Sequence, residues 1–106
     1  MDAGFSVPVI ENIHSKVYEA ANHPGAFKMD AWHTCDTTHC RAGWAVHLAG
    51  KEGKKLENKT STLFAAMQIY KASSDIKVSP VRFFESNETA LADMKRCADE
   101  EAAVKA

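Results

Sequence analysis

Apolar residues fall at Ile10, Ile13, Val17 and Ala21, the spacing of one helix face, and predict a first helix over residues 7–21. Pro24 and Gly25 in "NHPG" close it. The following "AFKMDAWHTC" has no clean period and reads as a loop or one short strand that delivers Trp32 to the core. A second helix fits "DTTHCRAGWAVHLAG", with Asp36 or Thr37 as N-cap, Gly50 as stop, and Lys51, Lys54 and Lys55 beyond it suiting the negative helix end. After a polar loop "KEGKKLENK", Thr60 or Ser61 caps a third helix whose apolar face carries Leu63, Phe64, Met67 and Tyr70.

Pro80 and weak alternation make "SSDIKVSPVRFFES" an extended loop with a short strand at Val81 to Phe84, anchored by Phe83 and Phe84. A fourth helix starts at Asn87 and places Leu91, Met94, Cys97 or Ala98, and Val104 on one side. The pattern therefore predicts a mainly α fold. About four helices and one short extended or strand element form a single compact domain over residues 1–106, with residues 1–6 and 103–106 frayed. A chain of 106 residues suits one domain and is too short for two.

Charge narrows the function classes. Against 13 Lys and Arg stand 14 Asp and Glu, with no basic stripe to follow a phosphate backbone, so nucleic acid is disfavoured as a partner. The start "MDAGFSVPVIEN" lacks the basic segment and apolar run of a signal peptide, and "AGWAVHLAG" is too short to span a bilayer, so a cytoplasmic protein without a membrane partner is expected. Three cysteines read as thiols or ligands rather than a disulfide framework. Phosphate-loop, HExxH and nucleophile-elbow motifs are missing.

The chemistry concentrates in "WHTCDTTHCRAGW", residues 32–44, which admits four readings. His33, Cys35, His39 and Cys40 supply a Cys2His2 zinc set, but His39 and Cys40 are adjacent and diverge by roughly 100° on a helix, unlike the paired spacing of structural zinc sites. Cys40 at a helix N-terminus suits a nucleophile with His33, His39 or His47 as base. A Cys35–Cys40 disulfide fits sterically but not a reducing compartment. Or Cys40, Trp44 and Cys97 are core residues, with His33 and His39 bonding loop backbone. Gly43 within a helix costs about 1 kcal/mol relative to Ala, which points to close approach of another backbone or a ligand.

Two aromatic patches add candidates: Arg82 with Phe83 and Phe84, and Trp32 with Trp44 as a stacking pocket for a flat ligand. Asp99, Glu100 and Glu101 read as a solvated helix face.

The pattern C-x-T-x-x-C-x-A-G-W, here Cys35, Thr37, Cys40, Ala42, Gly43 and Trp44, together with "SPVRFFESNETALADMKR", resembles a family of small uncharacterised bacterial and phage reading frames over residues 30–96. The resemblance implies a shared fold, no named activity, and one functional surface joining the Cys40 region to "RFFESNETA".

The expected function is a small non-enzymatic binding or interaction protein, phage or mobile-element borne. Its partner is a protein, a small ligand or a second copy of the chain, and it carries no cofactor. Its binding residues are Trp32, His33, Cys35, His39, Cys40, Trp44 and Arg82. The rivals are a thiol enzyme using Cys40 with His47 and His33, and a zinc-stabilised structural protein.

Overall fold

The computed structural model describes residues 7–35 and 37–105, apart from the side chains of Thr34, Cys35 and Lys105. Five α-helices stand among them: α1 Ile13–Ala21, α2 Arg41–Leu48, α3 Gly50–Lys59, α4 Thr62–Ser73 and α5 Asn87–Lys105. Strands β1 His33–Cys35 and β2 Thr38–His39 pair antiparallel between α1 and α2, and Pro80–Phe84 forms a 3-10 turn before α5. The expected mainly α single domain is what the chain forms. Fraying at residues 1–6 and at Ala106 concerns residues outside those described, whereas residues 103–105 continue α5.

α1 packs on α5, and α2 packs on α4 and α3. Ala42 and Ala45 of α2 and Ala65 and Ala66 of α4 are fully buried, so two helices meet with little side chain between them. Ile13, Val17, Val46, Leu56, Ile69, Phe83 and Met94 fill the remaining core.

The first helix begins later than its apolar spacing suggests. Asn12 takes a left-handed backbone (φ 57°), and the Ile10 N–H donates to Ser73 Oγ at 2.9 Å instead of joining a helix. α1 is then capped from across the fold, because the Glu101 carboxylate accepts from the N–H groups of His14 (3.1 Å) and Ser15 (2.9 Å). Glu101 is thus buried rather than part of a solvated acidic face.

The expected polar loop at residues 51–59 is helix α3. Lys and Glu are good helix formers, and Lys54–Glu57 and Lys55–Glu52 pairs lie three residues apart along it. Only Gly53 and Leu56 of its residues are buried, which leaves no apolar stripe to read. Gly50 does stop α2, adopting φ 68° at the elbow where the chain turns into α3. The short strand expected at Val81–Phe84 is the 3-10 turn: Pro80 sits in its first turn, where fixed φ and a missing N–H are harmless, and the Arg82 N–H donates to the Ser79 carbonyl at 2.9 Å.

Candidate functional site

α2 starts one residue after Cys40, and the cap is Cys40 itself, whose Sγ accepts from the Gly43 N–H at 3.3 Å. Thr37 lies ahead of β2 and is not the cap; Asp36, the other candidate, lies outside the described residues. Helix α2 presses directly against the chain entering β1. A Cβ on Gly43 would fall 1.9 Å from the Trp32 carbonyl oxygen, 3.0 Å from His39 Cβ and 3.1 Å from His33 Nδ1, all closer than van der Waals contact. The close backbone approach inferred for Gly43 is therefore that of Trp32, whose carbonyl also accepts from the Cys40 N–H at 3.2 Å.

This docking stacks the histidines. His33 Nδ1 lies 2.7 Å from His39 Nδ1, and His33 Nε2 lies 2.7 Å from Glu57 Oε2 in α3. Glu57 also accepts from Thr62 Oγ1 at 2.7 Å and pairs with Lys54 at 3.2 Å. Burial would raise the Glu57 carboxyl, but the bonds from Thr62, His33 and Lys54 outweigh it and hold the group below its ordinary value. Two nitrogens 2.7 Å apart need one proton between them, so His33 and His39 cannot both be Nδ1–H donors. With His33 donating from Nε2 to the carboxylate, its neutral form accepts at Nδ1 from His39.

On the far side of His39, His47 stacks at 4.6 Å between ring centroids and Trp44 meets it edge-on at 4.7 Å. Trp44 is buried, and its Nε1–H donates to the Ala26 carbonyl at 2.8 Å. It does not share a stacking pocket with Trp32. The partner of Trp32 is Phe84, 6.0 Å away with ring planes at 71°.

Beneath that pair opens a cleft of about 580 Å³. Met29, Asp30, Trp32, His33, Thr62 and Phe84 line it, with the buried Phe83 at its floor. The Asn87 side chain, expected to cap α5, instead accepts from the Met29 N–H at 2.8 Å, while Ser86 Oγ accepts from the Thr89 N–H. "RFFESNETA" is thereby fastened against residues 29–33.

The sequence candidates separate accordingly. Trp32 and His33 reach the cleft; His39, Cys40 and Trp44 lie buried behind it; His47 is exposed over His39. Arg82 lines a different hollow and pairs with Glu85 (2.9 Å) and Asp93 (3.5 Å). The Cys35 side chain, and with it the full zinc set and the Cys35–Cys40 disulfide, lies outside the described residues, and Cys40 is a free thiol. Among the described residues no group of three or more His, Cys, Asp or Glu side chains is placed to hold a metal ion. Burial pushes the Cys40 thiol up despite the Gly43 N–H, and among the described residues no histidine bonds its sulfur.

A second polar cluster was not legible in advance. Arg41 is fully buried, donates to Asp93 Oδ2 at 2.7 Å and to Cys97 Sγ at 3.6 Å, and lies 5.8 Å from the Tyr70 ring centre. Burial drives the Tyr70 hydroxyl up to about 12 against the pull of Arg41. One signal was present: Arg41 is the lone charge beside a run of small and apolar residues, 42–46, that is wholly buried.

No family model matches the chain, and searches of curated proteins and of solved structures give no match either. Among the described residues no helix is long and apolar enough to cross a membrane.

Proposed function

We propose that this protein is a small non-enzymatic binding module that receives a protein partner at the cleft between Trp32 and Phe84. The observation that carries this reading is a pair of exposed aromatic rings over a cleft of about 580 Å³ whose wall is braced from behind by the His33–Glu57 and His33–His39 contacts. An exposed aromatic pair on a fixed support loses little conformational freedom on binding, the property that makes such residues anchors at interfaces. The buried thiol of Cys40, raised by its surroundings, and a His33 with both ring nitrogens engaged argue against the thiol-enzyme alternative. A cytoplasmic setting agrees with the two buried free thiols, and a phage or mobile-element origin rests on the resemblance of the Cys35–Trp44 pattern.

Replacing Phe84 with the photo-cross-linker p-benzoylphenylalanine and irradiating the host cells tests the reading. A discrete adduct is expected, lost when Trp32→Ala is added. A chain that stays uncross-linked, or an adduct indifferent to Trp32→Ala, removes the cleft as the binding site. An adduct of twice the chain's mass would identify the partner as a second copy. Iodoacetamide gives a parallel check, with Cys40 and Cys97 expected to react only on unfolding; rapid labelling of Cys40 in the native protein would restore the enzyme alternative.

A further inference from the structure

The same cleft carries information about what it receives, and we infer that it takes an arginine side chain from an exposed segment of a protein partner; this rests on the binding reading above. Trp32 and Phe84 meet at 71° with centroids 6.0 Å apart, and Trp32 is 37% and Phe84 66% exposed, so their faces form an open corner. Ring faces carry negative electrostatic potential and attract a cation within about 6 Å of the centroid, and the planar guanidinium also stacks on the indole.

The one carboxylate that lines the cleft has the complementary sign. Asp30 lines the cleft, is exposed, and makes no hydrogen bond or ion pair among the described residues. No Lys or Arg lines the cleft among the described residues; Lys54 pairs with Glu57, and Arg82 turns to Glu85 and Asp93. His33 and Thr62, which also line the cleft, already serve Glu57. What the cleft lacks is a positive group to meet the Asp30 carboxylate while its alkyl stem covers Met29 and the rings. An arginine supplies the stem, the flat cation and a two-pronged donor for the carboxylate. A purely apolar side chain would leave the Asp30 carboxylate unanswered, and an acidic one would oppose it.

The test uses the full chain, labelled with nitrogen-15, titrated at low salt with the peptide acetyl-Gly-Gly-Arg-Gly-Gly-amide and with its citrulline counterpart, a neutral near-isostere. The expected result is a saturable shift of the Trp32 indole N–H with the arginine peptide, while the Trp44 indole, bonded to Ala26, stays in place. Citrulline should bind about threefold more weakly or worse, Asp30→Asn should narrow that preference to what the rings alone supply, and Trp32→Ala should abolish the response. Asp30 is exposed and its replacement isosteric, so this variant keeps its fold. Equal binding of the citrulline peptide, or failure of both peptides to bind, overturns the arginine inference. If the peptides fail while the Phe84 cross-link to a partner persists and depends on Trp32, the ligand class falls and the binding reading stands; if the cross-link also fails, both fall.

Discussion

Arg41 and His33 are each held by a carboxylate from a helix far along the chain, Asp93 in α5 and Glu57 in α3, at the same 2.7 Å. The surroundings differ. The Arg41 and Asp93 side chains are 0% and 5% exposed; Glu57 is nearly as covered at 9%, but His33 is 29% exposed and opens onto the cleft, so the difference lies in the arginine and imidazole partners. The arginine cluster ties α2 to α5 through the interior, where Arg41 cannot turn to water if Asp93 is lost, whereas Asp93 also pairs with Arg96 (2.8 Å) and Arg82 (3.5 Å). The histidine chain ties β1 to α3 at the rim, where water can replace a missing contact. Equal bond lengths therefore conceal unequal consequences, and burial decides which assembly is a fastening and which can serve a surface site.

Breaking the sealed pair should have the largest effect. Asp93→Ala leaves Arg41 buried without its counter-charge and should cost about 3–5 kcal/mol, read as a lowered urea midpoint at constant m. Replacing both partners with apolar residues, Arg41→Met with Asp93→Leu, should lose less than Asp93→Ala alone, because no buried charge remains. A double variant as unstable as the single one would show that the ionic contact itself, rather than the avoidance of an orphaned charge, supports the helix pair.

Gly43→Ala comes next and acts on the cleft side. Its methyl would meet the Trp32 carbonyl at 1.9 Å, a backbone atom fixed by the Cys40 N–H, so the strand entry must move. A loss at or above the roughly 1–3 kcal/mol of ordinary overpacking is expected, with the Trp32 and His33 resonances displaced and those of Tyr70 unchanged. If Tyr70 moved as well, the two regions would be one cooperative unit.

How much of this could be read beforehand follows the same division. Helices with an apolar face announced themselves: Ile13 and Val17 recur at the helical period because they fill the core; of the face expected on the next long apolar helix, Leu63, Phe64, Met67 and Tyr70, only Tyr70 is buried, and Ala65, Ala66 and Ile69 take the core side instead. Helix α3 buries little beyond Leu56 and Gly53, so hydropathy could not distinguish it from a loop. In the site, Trp32, His33, His39 and Cys40 stood out by their crowding in one short stretch, and Gly43 by its cost in a helix. Glu57 and Asp93 did not, because each sits among ordinary charged residues and finds its partner 24 and 52 positions away. Three-dimensional pairing of common residue types leaves no one-dimensional trace.

Acid should weaken the fold in two steps, one set by a histidine and one by carboxyls of both regions. Burial lowers the pKa of His14, stacked on Tyr70 at 5.3 Å, more than the nearby Glu101 raises it. The folded chain then binds fewer protons there than the unfolded one, so stability starts to decline as pH falls through about 6.5. Asp93, Glu57 and Glu101 are carboxyls for which burial is outweighed by hydrogen bonds, leaving each below its ordinary value. Their contribution is complete above the unfolded value, about 4, and is lost as pH falls toward the folded values. Urea midpoints between pH 7 and pH 2.5 should show both declines, and His14→Phe should remove the first alone. A flat profile from pH 7 to pH 5 in the unaltered protein would mean that His14 is not held neutral.

The smallest effect is expected at the rim. Glu57→Gln keeps an oxygen for Thr62 or His33 and loses only the charge assistance of those bonds and the exposed Lys54 contact, so a loss near 1 kcal/mol is expected. Its signature lies in the imidazoles rather than in stability. A neutral amide can present either oxygen or NH2 to His33 Nε2, which releases the requirement that His33 donate there and accept from His39 at Nδ1. Nitrogen-15 chemical shifts of the two rings should therefore change from one defined tautomer toward a mixture, with Trp44 still bonded to Ala26. If the tautomers held and the stability loss approached that of Asp93→Ala, Glu57 would be as sealed as Asp93, and the division between a buried fastening and an open rim would fail.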